Sequence, residues 1–269
     1  MQDKVIIITG ASSGIGLACA LEFASRGARL ALAARSLDKL ESIQKELQSK
    51  GSDVIVVKTD VSIDEDCKHL IEQTISAFGR IDVLVNNAGL SMRAAFADTD
   101  IKVLKTLMDV NFWGTVYCTK YALPWLLKSK GSVVGISSIA GFMGLPGRTG
   151  YSASKFAMHG FLETLRTENL KTGLHVLIAA PGFTASNVRK VALTASGQQQ
   201  GETPRAEDKM MSAEAVAKHL AKAIIKRKRT LILTFVEGKL TVFLNKWCPS
   251  LVSKLAYNHM AKEPDSPFK

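Results

Sequence analysis

Seven short apolar runs mark the first 235 residues: Val5–Ile8, Arg29–Ala33, Val54–Lys58, Val83–Asn86, Ser132–Ile136, His175–Ala179 and Thr230–Leu233. Each has strand length, and most are apolar at successive positions, as a strand covered on both faces requires. Helix-length amphipathic segments fill the gaps, so the alternation predicts a parallel sheet with helices on both faces. A seven-stranded sheet leaves no room for a second domain, and the pattern predicts one unit over residues 1–238.

Two stretches depart from the alternation. Ala195–Lys209 is polar and holds Gly197, Gly201 and Pro204, which predicts a mobile loop over about 187–210 that covers a substrate. Beyond the last strand, Leu240, Phe243, Leu244, Trp247, Leu251, Leu255 and Tyr257 recur at near-helical spacing, with Lys239, Lys246 and Lys254 between them and Pro249 forcing a break. Residues 239–269 therefore form an amphipathic, basic extension. Three readings of it stay open: a helix packed on its own domain or a partner subunit, a lid over an apolar substrate, or an interfacial membrane contact.

Composition narrows the class. Of 269 residues, 46% are hydrophobic and 22% charged, enough apolar surface to offset chain-ordering entropy. Most of the net charge of +11 sits late in the chain: residues 218–269 carry eleven Lys and Arg against Glu237, Glu263 and Asp265. Such a balance attracts phosphates or anionic surfaces, but no nucleic-acid motif accompanies it. The four cysteines, Cys19, Cys67, Cys118 and Cys248, are scattered, which fits a reducing, cytoplasmic setting, and with five dispersed histidines they give no metal-ligand spacing. The first apolar run is too short for a signal peptide, and no stretch approaches the ~20 apolar residues of a spanning helix. Localisation is thus expected to be cytoplasmic, with the tail leaving a peripheral membrane contact open.

The chemistry starts after the first run, at Thr9-Gly10-Ala11-Ser12-Ser13-Gly14-Ile15-Gly16, followed by the apolar helix positions Leu17, Leu21 and Phe23. Strand, glycine turn and helix in this order suit a dinucleotide: glycines let the backbone approach a pyrophosphate, and the helix N-terminus stabilises its charge. The second run ends Ala34-Arg35-Ser36, with no acid to meet a ribose 2′-hydroxyl. Arg35, helped by Ser36, can instead pair with a 2′-phosphate, which argues for NADP(H). Asp60, before Val61, is placed to accept from an adenine amino group or to cap the next helix.

Three further features follow: Asn86-Asn87-Ala88-Gly89, Ser137-Ser138, and Tyr151-Ser152-Ala153-Ser154-Lys155. With Thr9–Gly16 they resemble the short-chain dehydrogenases/reductases over about residues 3–235, several motifs standing in the family's order. The resemblance implies a Rossmann-like, doubly wound, seven-stranded α/β fold and a homo-oligomer, dimer or tetramer. It implies Tyr151 as general acid/base, Lys155 as its partner and holder of the ribose hydroxyls, Ser138 as the hydroxyl that orients substrate, and Asn111 as fourth member, binding a water. Ser137 is the alternative to Ser138. Asn87, Ala88 and Gly89 fall beside the cofactor, and Pro181-Gly182-Phe183-Thr184-Ala185-Ser186 resembles the family's segment near the nicotinamide, with either Thr184 or Ser186 supplying the hydroxyl. Tyr and Lys four apart share a helix face, so a lysine charge under the phenol would lower its pKa toward working pH. The function expected is hydride transfer between nicotinamide and a small-molecule carbonyl or secondary alcohol, lipid- or steroid-like if the extension meets a membrane. The rival is a catalytically silent dinucleotide sensor or membrane-associated scaffold, against which the intact Tyr151 and Lys155 argue.

Overall fold

The computed structural model describes residues 1–184, 190–201, 210–263 and 266–268. Seven strands form one parallel sheet: β1 (Val5–Thr9), β2 (Arg29–Ala34), β3 (Val54–Lys58), β4 (Val83–Asn86), β5 (Ser132–Ile136), β6 (His175–Ala180) and β7 (Thr230–Ile232), in the order β3-β2-β1-β4-β5-β6-β7. The expected runs and the observed strands differ by at most one residue at an end. The order reverses between β1 and β4, which opens a crevice beyond their carboxyl ends.

Helices α1 (Gly14–Ala24), α2 (Leu37–Ser49) and α7 (Ala213–Ile225) cover one face. Helices α3 (Asp64–Phe78), α5 (Gly114–Lys128) and α6 (Thr149–Glu168) cover the other, and α4 (Ile101–Leu107) leads into α5 through the π-helical turn Met108–Trp113. Strand periodicity divides the core: Ile6 and Ile8 of β1 pack with Phe23, Leu40 and Leu220, while Val5 and Ile7 pack with Leu70, Cys118 and Leu162. This two-sided cover is why the strands read as continuous apolar runs.

Two expectations about the periphery resolve differently. The described part of the substrate loop, residues 190–201, is pinned: Leu193 N–H donates to Ser91 O at 2.8 Å, its carbonyl accepts from Arg93 N–H at 2.9 Å, and its side chain is buried with Met92, Val103 and Leu107. Past β7, a π-helical turn (Phe235–Leu240), α8 (Thr241–Trp247) and α9 (Pro249–Ala261) form a hairpin with its break at Pro249. Val242 and Val252 are buried against Ile139, Met143 and Ala180, so one face of the hairpin packs on its own domain.

Candidate active site

The crevice is built where β1 turns into α1. Gly10 adopts φ +65°, and a Cβ there would lie 2.9 Å from Ala88 Cα, so the turn closes on the loop after β4 only because this residue is glycine. Gly16 lines no part of the cavity; a Cβ on it would strike the Gly10 carbonyl oxygen, so it serves the seating of α1 on the turn. Ser13 stands extended at the start of α1 and makes no side-chain cap bond. The Ser13 side chain therefore takes none of the first-turn N–H donors, at the end of the helix where negative charge is stabilised. The Asn87 amide donates to the carbonyls of Thr9 (2.8 Å) and Gly10 (3.2 Å), and Thr9 Oγ1 accepts from the N–H groups of Asn87 and Ala88, both at 3.0 Å. Asn87 thus braces the cradle across the switch point.

A cavity of about 420 Å³ runs along the carboxyl ends of the strands. Gly10, Ser12, Ser13, Gly14 and Ile15 line its start; Arg35, Ser36, Asp60 and Val61 line one branch; Asn87, Ala88 and Gly89 line the middle; Ser138, Tyr151, Lys155, Pro181, Gly182 and Thr184 line the far end. Arg35 is exposed at the mouth, and among the described residues no carboxylate pairs with it. Asp60 lies two residues beyond β3, and its Oδ1 accepts from the N–H and hydroxyl of Ser62 at 3.0 and 2.7 Å. Thr184 Oγ1 donates to Gly182 O at 3.2 Å. Ser186 falls outside the described residues, as does part of the expected substrate loop.

At the far end the two serines separate. Ser137 Oγ is bonded to His159 Nε2 at 2.6 Å, whereas Ser138 caps a short turn through Ala140 N–H at 3.2 Å. Lys155, 3% exposed, donates to Ile136 O at 2.9 Å, and its Nζ stands 5.8 Å from the Tyr151 ring centre. Burial pulls the Lys155 pKa down to about 8. Burial also pushes the Tyr151 phenol above its ordinary value, the Ser138 hydrogen bond and the Arg148 charge opposing it without winning. The Lys155 ammonium faces the Ile136 carbonyl, and Arg148 is the cation that lowers the phenol pKa here.

Asn111 sits fully buried on the π-helical turn, a distortion often found at functional sites. Its Nδ2 donates to Leu90 O and Ser154 Oγ, both at 2.9 Å, while Oδ1 accepts from Leu90 N–H at 2.8 Å. It lies behind the cavity wall: a Cβ on Gly89 would stand 3.1 Å from Asn111 Oδ1 and 3.5 Å from Lys155 Nζ. Three lining or supporting residues escaped the sequence reading. Lys39, a second cation four residues after Arg35, lines the same mouth, and spacing alone would have flagged it. Arg148 lines the far end and donates to Ser91 Oγ at 2.8 Å. His159 continues the Tyr151–Lys155 spacing by four residues, which puts it on the same helix face.

The family model described as short chain dehydrogenase matches residues 4–196. The chain belongs to the short-chain dehydrogenase/reductase family. As a member it is a nucleotide-binding oxidoreductase of Rossmann fold. It is 47% identical over 190 residues, 70% of the chain, to the "11-beta-hydroxysteroid dehydrogenase-like 2" of Arabidopsis thaliana, and the match spans 61% of that relative's length. Among solved structures, it superposes with a TM-score of 0.82 and 26% identity on a short-chain dehydrogenase/reductase from Burkholderia phymatum in complex with NAD, covering 93% of this chain and 95% of that one. It also matches an alcohol dehydrogenase from the archaeon Thermococcus sibiricus complexed with 5-hydroxy-NADP, at TM-score 0.73 and 27% identity, covering 86% of this chain and 94% of that one.

Proposed function

We propose that this family member is an NADP(H)-dependent carbonyl reductase, or the reverse alcohol dehydrogenase, acting on an apolar lipid- or steroid-like substrate. The observation that carries the reading is the cavity's continuity: one channel joins the glycine cradle and Arg35 to Ser138, Tyr151 and Lys155. The uncapped N-terminus of α1 and the glycine-only approach at Gly10 fit a pyrophosphate. Arg35 and Lys39 at the mouth fit a 2′-phosphate better than a neutral ribose. The nicotinamide, once bound, supplies or accepts the hydride.

The chain's own groups handle the proton and the charge. Ser138 donates to the substrate oxygen, where negative charge grows as a carbonyl is reduced. Tyr151 delivers the proton; its raised pKa keeps the phenol in the acid form needed for reduction. Lys155 holds the ribose hydroxyls. Asn111, with its amide bonded to Leu90 and Ser154, acts as a brace whose Oδ1, already accepting from Leu90 N–H, stands beside Gly89 and Lys155 with a second lone pair for a hydrogen bond from a water. Thr184 or Ser186 supplies the hydroxyl near the carboxamide. The match to a hydroxysteroid dehydrogenase-like relative supports an apolar substrate. A homo-oligomer in a cytoplasmic setting, with a peripheral membrane contact through the hairpin, completes the reading.

The test is fluorescence titration with NADPH and NADH at matched ionic strength, followed by a screen of apolar ketones. Arg35→Ala is expected to weaken NADPH roughly tenfold, the scale of one charge-assisted contact, and to leave NADH unchanged. Equal effects on both nucleotides would remove the NADP(H) assignment; binding of neither would return the sensor or scaffold to the front.

A further inference from the structure

The hairpin's second face has no partner among the described residues. Phe243 and Trp247 stand four apart on α8 and are 59% and 74% exposed; Leu251 and Leu255 stand four apart on α9 and are 52% and 55% exposed. Phe235 and Val236, 70% and 60% exposed, extend the strip at the preceding turn. Four-residue spacing puts each helical pair on one face, and the two helices pack side by side, so the residues form a band rather than isolated surface hydrophobes.

The surrounding charge identifies what this band meets. Lys239, Lys246, Lys254 and Lys262 are exposed along the hairpin, and Glu237 is its only exposed acid among the described residues; Glu263 is buried against Arg93 at 3.5 Å. A second copy docking through the same band would set these lysines against themselves. Acidic headgroups over an apolar layer complement both features, and an exposed indole suits the boundary between them. No helix among the described residues is long and apolar enough to cross a membrane, so the contact is one of seating rather than spanning.

We infer that the α8–α9 hairpin seats this protein on an anionic lipid surface, with Phe243, Trp247, Leu251 and Leu255 entering the interface and the lysines meeting lipid phosphates. The buried side of the hairpin touches the cavity wall: Leu145 of the cavity packs in the cluster with Val242 and Val252, and the Phe183 ring lies 6.4 Å from that of His259. Seating therefore brings the substrate end of the cavity close to the phase in which an apolar ketone concentrates. That purpose rests on the proposed substrate class; the contact itself rests on the surface alone.

Co-sedimentation of the full chain with vesicles of phosphatidylcholine, with and without phosphatidylglycerol, tests it. Wild type is expected to pellet with the anionic vesicles and to lose binding at high salt. Phe243→Glu with Trp247→Glu is expected to weaken partitioning by roughly tenfold or more, and Lys246→Glu with Lys254→Glu to weaken it on anionic vesicles. All four side chains are exposed, so melting temperature and NADPH titration should not change, which separates a failure here from failure of the reductase reading. Absent pelleting, or pelleting equal in wild type and the apolar double variant, overturns the inference. So does a dimer that the same double variant dissociates, which would assign the band to a second copy.

Discussion

The two edges of the sheet bury ionisable groups in opposite ways. At the amino edge, Asp82 is 3% exposed yet fully matched: Arg80 donates to it at 2.6 Å, Lys4 at 3.1 Å and Val5 N–H at 3.0 Å. His175 on the same edge hydrogen-bonds Ser132 through Nδ1 at 2.9 Å and donates from Nε2 to Lys228 O at 2.8 Å, so both ring nitrogens are matched, and burial lowers its pKa. At the carboxyl edge, Lys155 is equally buried, but among the described residues only the Ile136 carbonyl answers its charge, and Tyr151 faces a cavity. A buried charge that is answered holds the fold together, and one that is not marks a place where a ligand completes the environment.

The comparison breaks first, and most visibly, at Tyr151. Tyr151→Phe removes the proton donor but no packing, so turnover on any accepted ketone should fall by roughly 10²- to 10⁴-fold while melting temperature and nucleotide binding stay put. Retained turnover would show that another group carries the proton.

Asp82 should behave in the reverse sense. Asp82→Ala leaves Lys4 and Arg80 without their carboxylate and is expected to cost ~3 kcal/mol in denaturant unfolding at neutral pH, with nucleotide affinity per folded molecule unchanged. Burial works to raise the Asp82 pKa, but Arg80, Val5 N–H and Lys4 outweigh it and hold it below its ordinary 3.8. A depressed carboxylate contributes stability that is present above 3.8 and lost as pH falls through the folded value, so the gap between wild type and variant should close in acid. A gap that persisted there would locate the loss in packing.

The last effect, confined to alkaline pH, is the titration of Lys155. Its pKa drops from 10.5 to about 8 on folding, so the unfolded chain binds more protons between those values. Wild type should therefore gain stability as pH rises from about 8 to 10.5, by up to ~3 kcal/mol, relative to Lys155→Met. Parallel curves for the two proteins would mean that Lys155 is better solvated than its burial implies.

Legibility followed sequence distance. The strands were readable because burial on both faces writes itself into local runs such as Val54–Lys58. The glycine cradle and the Tyr151–Lys155 pair were readable because each lies within eight residues and has a fixed local geometry. Asn111 was named, but its bonding to Leu90 and Ser154 crosses 21 and 43 residues, and no local pattern encodes that. The choice of Ser138 over Ser137 rested on resemblance, and the bond between Ser137 and His159, 22 residues away, is one that no local pattern encodes. Leu193 carries no pattern of its own in the sequence, and only the fold shows that it is buried with Met92 and Val103.

By itself the sequence determined the class of sheet and named the candidates for the nucleotide turn and for proton transfer, because periodicity and short motifs are properties of neighbours in the chain. Only the tertiary structure decided the environment of those residues. Protonation balance, cavity continuity and the two-faced character of the hairpin depend on desolvation by remote segments: burial raises Tyr151 and lowers Lys155, while the same hairpin hides Val252 and leaves Leu251 in the open.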